Sequence, residues 1–155
     1  MQTITGDLIA LAQAGRFDVI VHGCNCFHAM GAGIARSIAA SFPAALAADQ
    51  ATAYGSRDKL GTLSQAEVRC GSHRLIIVNA YTQFDWKFDG KSPGPLVDYS
   101  AVERCFQTIA ARYRDARIGY PKIGAGLAGG DWAVLAPIID RALDGSDHTL
   151  VVLPK

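Results

Sequence analysis

The sequence predicts a three-layer α/β/α domain, in which helices cover both faces of a mixed, mostly parallel central sheet. Three observations support this fold class. Short apolar segments typical of buried strands alternate along the chain with segments of helical periodicity. Two glycine-rich loops each follow a predicted strand and open a predicted helix. The 155 residues contain no internal repeat, low-complexity tract or linker, so a single domain over residues 1–155 is expected.

The first half of the chain is expected to contribute strands and helices with recognisable boundaries. Asp7 is typical of a helix N-cap, Gly15 of a helix end and Pro43 of a helix start. The run Val19-Ile20-Val21 has the apolar, β-branched composition of a fully buried strand. The predicted elements are a strand at 3–6, a helix to residue 13, a strand at 19–21, a helix at 34–42 and a helix from 43 to about 53.

The second half begins with two strands that are short enough and close enough to form a hairpin. The helix that starts near Asp98 has apolar residues at helical spacing, and Pro137 predicts either a kink in the last helix or a later start. The predicted elements are strands at 63–69 and 74–80, a long loop at 84–97, a helix at 98–113, a strand at 117–120, a helix from 131 to 143 and a strand at 149–153.

The composition excludes several classes of protein. Hydrophobic residues make up 50% of the chain and charged residues 19%, which argues against disorder. A formal net charge of +1 gives no long-range attraction for a polyanion, and the basic residues between Arg104 and Lys122 are interpreted as a solvated face. The N-terminal segment lacks the pattern of a signal peptide, and no apolar stretch is long enough to span a bilayer. A cytoplasmic monomer without a membrane partner is therefore expected.

The cysteines do not indicate a metal or disulfide framework. Cys24 and Cys26 are too close in sequence for an ordinary structural bridge, and nothing pairs with them at zinc-ribbon spacing. Reduced, mostly buried thiols are favoured over a redox or metal role, which stays open as the alternative. No cofactor and no metal are predicted.

Each of the glycine-rich loops is suited to hold an anion. Glycine allows a backbone to approach a ligand closely, and a helix N-terminus adds free N–H donors and a partial positive charge. In open α/β sheets, ligands bind beyond the carboxyl ends of the strands, where both loops lie. The pair therefore predicts a site for the two phosphates of a diphosphate, with two tight turns and no ligand as the alternative.

Five segments together resemble the macrodomains, a family that binds ADP-ribose. These segments are Gly6-Asp7, Val21-His22-Gly23-Cys24-Asn25, Met30-Gly31-Ala32-Gly33-Ile34-Ala35, Pro121-Lys122-Ile123-Gly124-Ala125-Gly126-Leu127 and Asp131-Trp132. The resemblance covers essentially the whole chain and implies the macrodomain fold. Within the family, the first loop looks most like the yeast-type ADP-ribose-1''-phosphate phosphatases and their phage and bacterial relatives. The second loop also resembles the terminal ADP-ribose glycohydrolase branch, but Gln83 stands in place of its lysine and Asp131 lies a few residues beyond its aspartate.

The resemblance implies a set of ADP-ribose-binding residues along both loops and the strand ends. They are Asp7, Leu8, Asn25, Met30, Gly31, Ala32, Gly33, Ile34, Tyr81, Gln83, Ile123, Gly124, Ala125, Gly126, Leu127 and Ala128. Asp7 is expected to accept from the adenine amine, or else only to cap a helix. Asn25 is expected to hold the distal ribose or a water, or else only to shape an Asx-turn. Which of Tyr81, Phe84 and Trp86 stacks on a ring is left open.

Three residues are the candidates for chemistry at the distal ribose: Asp131, Asn25 and His22. Asp131 suits a water-activating or nucleophilic carboxylate and His22 a proton carrier, with a plain helix cap and a core histidine as the alternatives. The first hypothesis is a hydrolase of ADP-ribose-1''-phosphate, of O-acylated ADP-ribose or of ADP-ribose attached to a protein or nucleic acid. The second is a non-catalytic reader of free or attached ADP-ribose. A dinucleotide-binding domain is disfavoured, because the first loop lacks the Gly-x-Gly-x-x-Gly pattern.

Overall fold

In the computed structural model, which describes residues 1–87 and 94–155, the strands form one six-stranded sheet of order β1-β6-β5-β2-β4-β3. The strands are β1 (Gln2–Thr5), β2 (Val19–Cys24), β3 (Leu63–Cys70), β4 (His73–Tyr81), β5 (Arg117–Tyr120) and β6 (Asp147–Val152). Neighbouring strands run parallel except β3 and β4, which form an antiparallel hairpin. The predicted mixed, mostly parallel sheet is therefore confirmed.

Helices cover both faces of this sheet. They are α1 (Leu8–Gln13), α2 (Gly33–Ser41), α3 (Pro43–Gln50), α4 (Tyr99–Arg112) and α5 (Trp132–Ala142). Val19 and Val21 of β2 pack in one apolar cluster with residues of α4 and α5, whereas Ile20 packs in a second cluster with residues of α1, α2 and α3. Because successive side chains of a strand point to opposite faces, the apolar run in β2 serves both layers. The three-layer architecture is confirmed.

Most predicted elements occur near their expected positions, and the differences have local causes. The strand predicted at 19–21 continues to Cys24, because the polar His22 within it is fully buried rather than exposed. Pro137 lies inside α5, which begins at Trp132, so the later start is excluded. A single 3-10 turn at Arg57–Lys59 was not predicted. Of the loop predicted at 84–97, residues 88–93 lie outside the described residues.

The strand order determines where the loops meet. In β2, Val19 is in register with Ile118 of β5 on one side and with Ile76 of β4 on the other. All three strands are parallel, so their carboxyl ends lie at the same edge of the sheet. The segments that follow β2, β4 and β5 are therefore neighbours, although they are distant in sequence.

Candidate functional site

A cavity of about 450 Å³ opens at this edge, between the first glycine loop (residues 31–34) and the second glycine loop (residues 124–128). Its size is within the range of small-molecule sites. Most of the predicted binding residues line it: Asn25, Gly31, Ala32, Gly33, Ile34, Gln83, Ile123, Gly124, Gly126, Leu127 and Ala128. The structure thus brings the two predicted phosphate loops to one cavity.

The first glycine loop leads into a helix whose N-terminus has no side-chain cap. Ala32 is the N-cap of α2 and makes no capping hydrogen bond, whereas Asp7, Asp98 and Asp131 cap α1, α4 and α5 with their carboxylates. The first N–H groups of a helix have no intrahelical acceptor. At α2 these donors therefore remain available to a ligand, and the helix dipole favours an anionic one.

The second glycine loop is a tight turn that directs further N–H groups away from its own backbone. Gly124 has a φ of 77°, a left-handed conformation that favours glycine. The turn is closed by hydrogen bonds from the N–H of Ala125 to the carbonyl of Lys122 (3.2 Å) and from Gly130 to Gly124 (2.7 Å). The next three N–H groups in the loop are those of Gly126, Leu127 and Ala128, and they donate no hydrogen bond to an acceptor within the described residues.

The two loops approach each other closely at the cavity. A β-carbon placed on Gly33 would lie 3.4 Å from Cδ1 of Leu127, and Gly33 has a φ of 58°. The Leu127 side chain is 77% exposed, so it lies on the solvent side of the loops. The contact indicates that Leu127 bridges the loops on the solvent side of the cavity.

Asn25 both shapes the first loop and lines the cavity. Its Oδ1 accepts hydrogen bonds from the N–H groups of Phe27 (2.9 Å) and Ala29 (3.3 Å), and its Nδ2 donates to the carbonyl of Ala29 (2.7 Å). The expected Asx-turn is therefore present. An amide nitrogen carries two hydrogens, so one remains for a group in the cavity.

His22, in contrast, is a core residue. Its side chain is fully buried, does not line the cavity, and lies 2.6 Å from Oδ1 of Asn79 and 3.5 Å from Sγ of Cys24. Asn79 uses its Nδ2 to donate to Ser64 and Ala45, so its Oδ1 accepts and the Nε2 of His22 donates. Burial lowers the pKa of His22 to about 4, which leaves the ring neutral near pH 7.

Five predicted ligand residues do not line the cavity: Asp7, which is described below, and four whose side chains pack in the fold. Tyr81 is fully buried, and its hydroxyl donates to Oδ1 of the buried Asp49 (2.7 Å), because alternation along β4 directs this side chain toward α3. Leu8 and Met30 pack in the apolar core beside α1 and α2, and Ala125 packs against the core on the opposite face. The side chains of these four residues stabilise the fold around the site.

Asp7 and Asp131 both serve as helix caps. Oδ1 of Asp7 accepts from the N–H of Ala10 and Oδ1 of Asp131 from that of Ala133, each at 2.9 Å. Neither residue lines the cavity, but both are exposed at the sheet edge that contains it. The capping role is thus observed for both. Their roles toward a ligand stay predictions.

Five cavity residues were not among those predicted to bind: Gly23, Ala29, Ala35, Pro121 and Lys122. Gly23 is needed because a β-carbon there would lie 2.7 Å from Oγ1 of Thr82. Of the three aromatic candidates, only Trp86 lines the cavity, whereas Phe84 packs edge-on against Phe27. Trp86 differs from the other two aromatic candidates in that its side chain is exposed, and a sequence does not show exposure.

Among residues 1–87 and 94–155, no group of three or more His, Cys, Asp or Glu side chains is arranged to hold a metal ion. The cysteines in this part of the chain are free, and Cys24, Cys26 and Cys105 are buried. No helix in the same part is both long and apolar enough to cross a membrane.

The comparisons with known proteins bear on this arrangement of fold and cavity. The chain is 37% identical over 142 residues to an uncharacterised 17.5 kDa protein from the tk-vs intergenic region of Enterobacteria phage T4. The aligned region covers 88% of this chain and 86% of the phage protein. No protein-family model matches the chain. The chain belongs to the same family as the phage protein.

Solved structures identify the fold. A Bacteroides thetaiotaomicron protein of unknown function matches 99% of this chain and 97% of its own at 24% identity, with a TM-score of 0.79. A Streptomyces coelicolor macrodomain protein matches 99% of this chain and 98% of its own at 23% identity, with a TM-score of 0.69. Thermosipho africanus DarTG in complex with ADP-ribose matches 99% of this chain and 42% of its own at 17% identity, with a TM-score of 0.74. The fold is therefore the macrodomain fold, as the resemblance of the five segments implied.

The position of Tyr81 yields a test that separates stability from binding. Tyr81→Phe removes the hydroxyl that bonds to Asp49 and leaves that buried carboxylate without this donor, which should lower the free energy of unfolding by about 1–3 kcal/mol. Affinity for ADP-ribose, the ligand implied by the resemblance, should stay within about twofold of the parent. Urea unfolding and calorimetry measure the two effects. A large loss of affinity in a variant with unchanged stability would return Tyr81 to the site.

The buried His22 predicts a pH dependence of stability. Because the unfolded chain binds the proton with an ordinary pKa of about 6.5 and the folded protein with one of about 4, the contribution of His22 is present above pH 6.5. It is lost as the pH falls from about 6.5 toward 4, at a rate on the order of 1 kcal/mol per pH unit. Urea unfolding of the parent and of His22→Gln should show a steeper acid loss in the parent. Equal slopes would contradict the assignment.

Proposed function

We propose that the protein binds ADP-ribose in the cavity between the two glycine loops. The observation that carries the proposal is the uncapped N-terminus of α2 facing a second loop whose N–H groups, at Gly126, Leu127 and Ala128, have no acceptor within the described residues. Two sets of free donors across one cavity suit the two phosphates of a diphosphate better than a single anion. The Thermosipho africanus DarTG structure, which shares the fold, holds ADP-ribose and supports the choice of ligand.

The strand order supports one orientation of the ligand. Asp7 follows β1 at one end of the sheet edge, the two glycine loops lie near its middle, and Gln83 follows β4 on the other side. The adenine amine would then lie toward Asp7, the diphosphate between the loops, and the distal ribose beside Asn25 and Gln83. Trp86 lines the cavity on the same side as Gln83, where it would pack against the distal ribose or the group attached to it.

Hydrolysis of an ADP-ribose derivative is the second candidate function. It is favoured by Asn25, which keeps one amide hydrogen for the cavity, and by Asp131, whose Oδ2 makes no hydrogen bond within the described residues. Candidate substrates are ADP-ribose-1''-phosphate, O-acylated ADP-ribose, and ADP-ribose attached to a protein or nucleic acid. The burial of His22 and the absence of Asp131 from the cavity lining support the alternative, a non-catalytic reader.

A charge introduced at Gly126 tests the binding site. Gly126→Glu places a carboxylate where the diphosphate is expected and should weaken ADP-ribose binding at least a hundredfold, since like charges in a partly enclosed site repel strongly. Gly126 has open space around its α-carbon and does not have a left-handed φ, so Gly126→Gln is a matched uncharged control that should fold normally. Calorimetry measures both variants. Parent-like binding by Gly126→Glu would show that the diphosphate lies elsewhere.

The hydrolase candidate is tested at Asp131 with a variant that keeps its cap. Asparagine caps helices about as well as aspartate, so Asp131→Asn preserves α5 while it removes the charge. In a hydrolase that uses this carboxylate, turnover should fall roughly 10²- to 10⁴-fold while ADP-ribose affinity stays unchanged. Release of phosphate from ADP-ribose-1''-phosphate and of ADP-ribose from acylated or macromolecular substrates measures the rate. Full activity would assign Asp131 to capping alone, and an inactive parent that binds ADP-ribose would establish the reader.

A further inference from the structure

One charged residue, Lys122, is among the described residues that line the cavity. The remaining lining consists of glycines, small or apolar side chains, two amides and one indole. A cavity proposed to hold a diphosphate thus offers the ligand backbone N–H groups and a single full positive charge.

The backbone around Lys122 is held firmly at the end of β5. The preceding Pro121 has a restricted φ, the following Ile123 is buried in the core, and the carbonyl of Lys122 accepts the N–H of Ala125. The side chain itself is exposed. The α-carbon is therefore fixed beside the cavity, and the exposed, flexible side chain can turn its ammonium toward an anion bound there.

The ammonium of Lys122 is not used inside the described part of the protein. No carboxylate there lies within 4.0 Å of it and it makes no hydrogen bond there, whereas Arg74 and Arg117 pair with Glu67 and Asp18. Because Lys122 also lines the cavity, its ammonium remains available to an anionic ligand there.

We infer that Lys122 is a specificity-determining residue that binds the anionic part of the ligand and makes recognition depend on charge. This inference rests on the proposed function. Backbone N–H groups supply geometry for the phosphates but carry only partial charges, whereas Lys122 balances one of the two negative charges of the diphosphate. Since the ammonium is exposed, salt screens its contribution.

The test is the salt dependence of ADP-ribose binding, measured by calorimetry at about 0.02 M and about 0.5 M NaCl, where screening differs strongly. Lys122→Met should weaken binding roughly threefold to tenfold at low salt and much less at high salt. Lys122→Arg should restore most of the affinity and its salt dependence. Arg36→Met removes the same charge from an exposed position of α2 that does not line the cavity, and it should bind like the parent at both concentrations.

Four other results of these measurements would contradict the inference, and one of them would also contradict the proposed function. Parent-like binding by Lys122→Met at low salt overturns the inference and leaves the proposed function intact. An equal loss at both salt concentrations also overturns it, because it indicates a role in packing. An equal loss in Arg36→Met assigns the effect to the overall field and overturns it as well. A parent that does not bind ADP-ribose overturns the proposed function and this inference together.

Discussion

Parallel pairing of β2 with β5 brings together two segments that are far apart in the chain. Gly119 of β5, which is in register with Ile20, makes room for the buried Phe17, since a β-carbon at position 119 would lie 2.8 Å from the Phe17 ring. Because both strands run in the same direction, the loops that follow them meet at one edge of the sheet. The cavity, the contact between Leu127 and Gly33 and the facing sets of N–H donors all depend on this pairing.

The site relies on the main chain more than on side chains. Aspartate carboxylates cap the N-termini of α1, α4 and α5, whereas the N-cap of α2, which opens onto the cavity, is an alanine. Side-chain capping, which stabilises three helices, is missing at α2, where we propose that the free donors bind a ligand; it is also missing at α3, but that helix begins with Pro43, which has no N–H to cap. Small residues along the loops keep the cavity open for the proposed ligand, and glycine at positions 33 and 124 also permits the left-handed backbone. Lys122 then supplies the single full charge within the described lining.

Much of the fold and of the cavity follows from local sequence patterns. The run at Val19 predicts a doubly buried strand, and the glycines from Gly31 to Gly33 predict a close backbone approach, because these properties depend on neighbouring residues only. The face on which a residue near a strand end lies depends on the whole sheet, so Tyr81, predicted to bind the ligand, lies in the core, and His22 lies there too, as the alternative of a core histidine had it. Lys122 was interpreted as solvated for the same reason: a sequence shows its charge but not the cavity beside it.

The most direct test of the account is a crystal structure of the protein with ADP-ribose. We expect the diphosphate between the glycine loops, with phosphate oxygens about 2.7–3.2 Å from backbone nitrogens of both loops, among them those of Gly33 and Gly126. The distal ribose should lie within reach of Nδ2 of Asn25, and the ammonium of Lys122 near a phosphate oxygen. A ligand bound elsewhere, or one whose diphosphate contacts neither loop, would contradict the central claim.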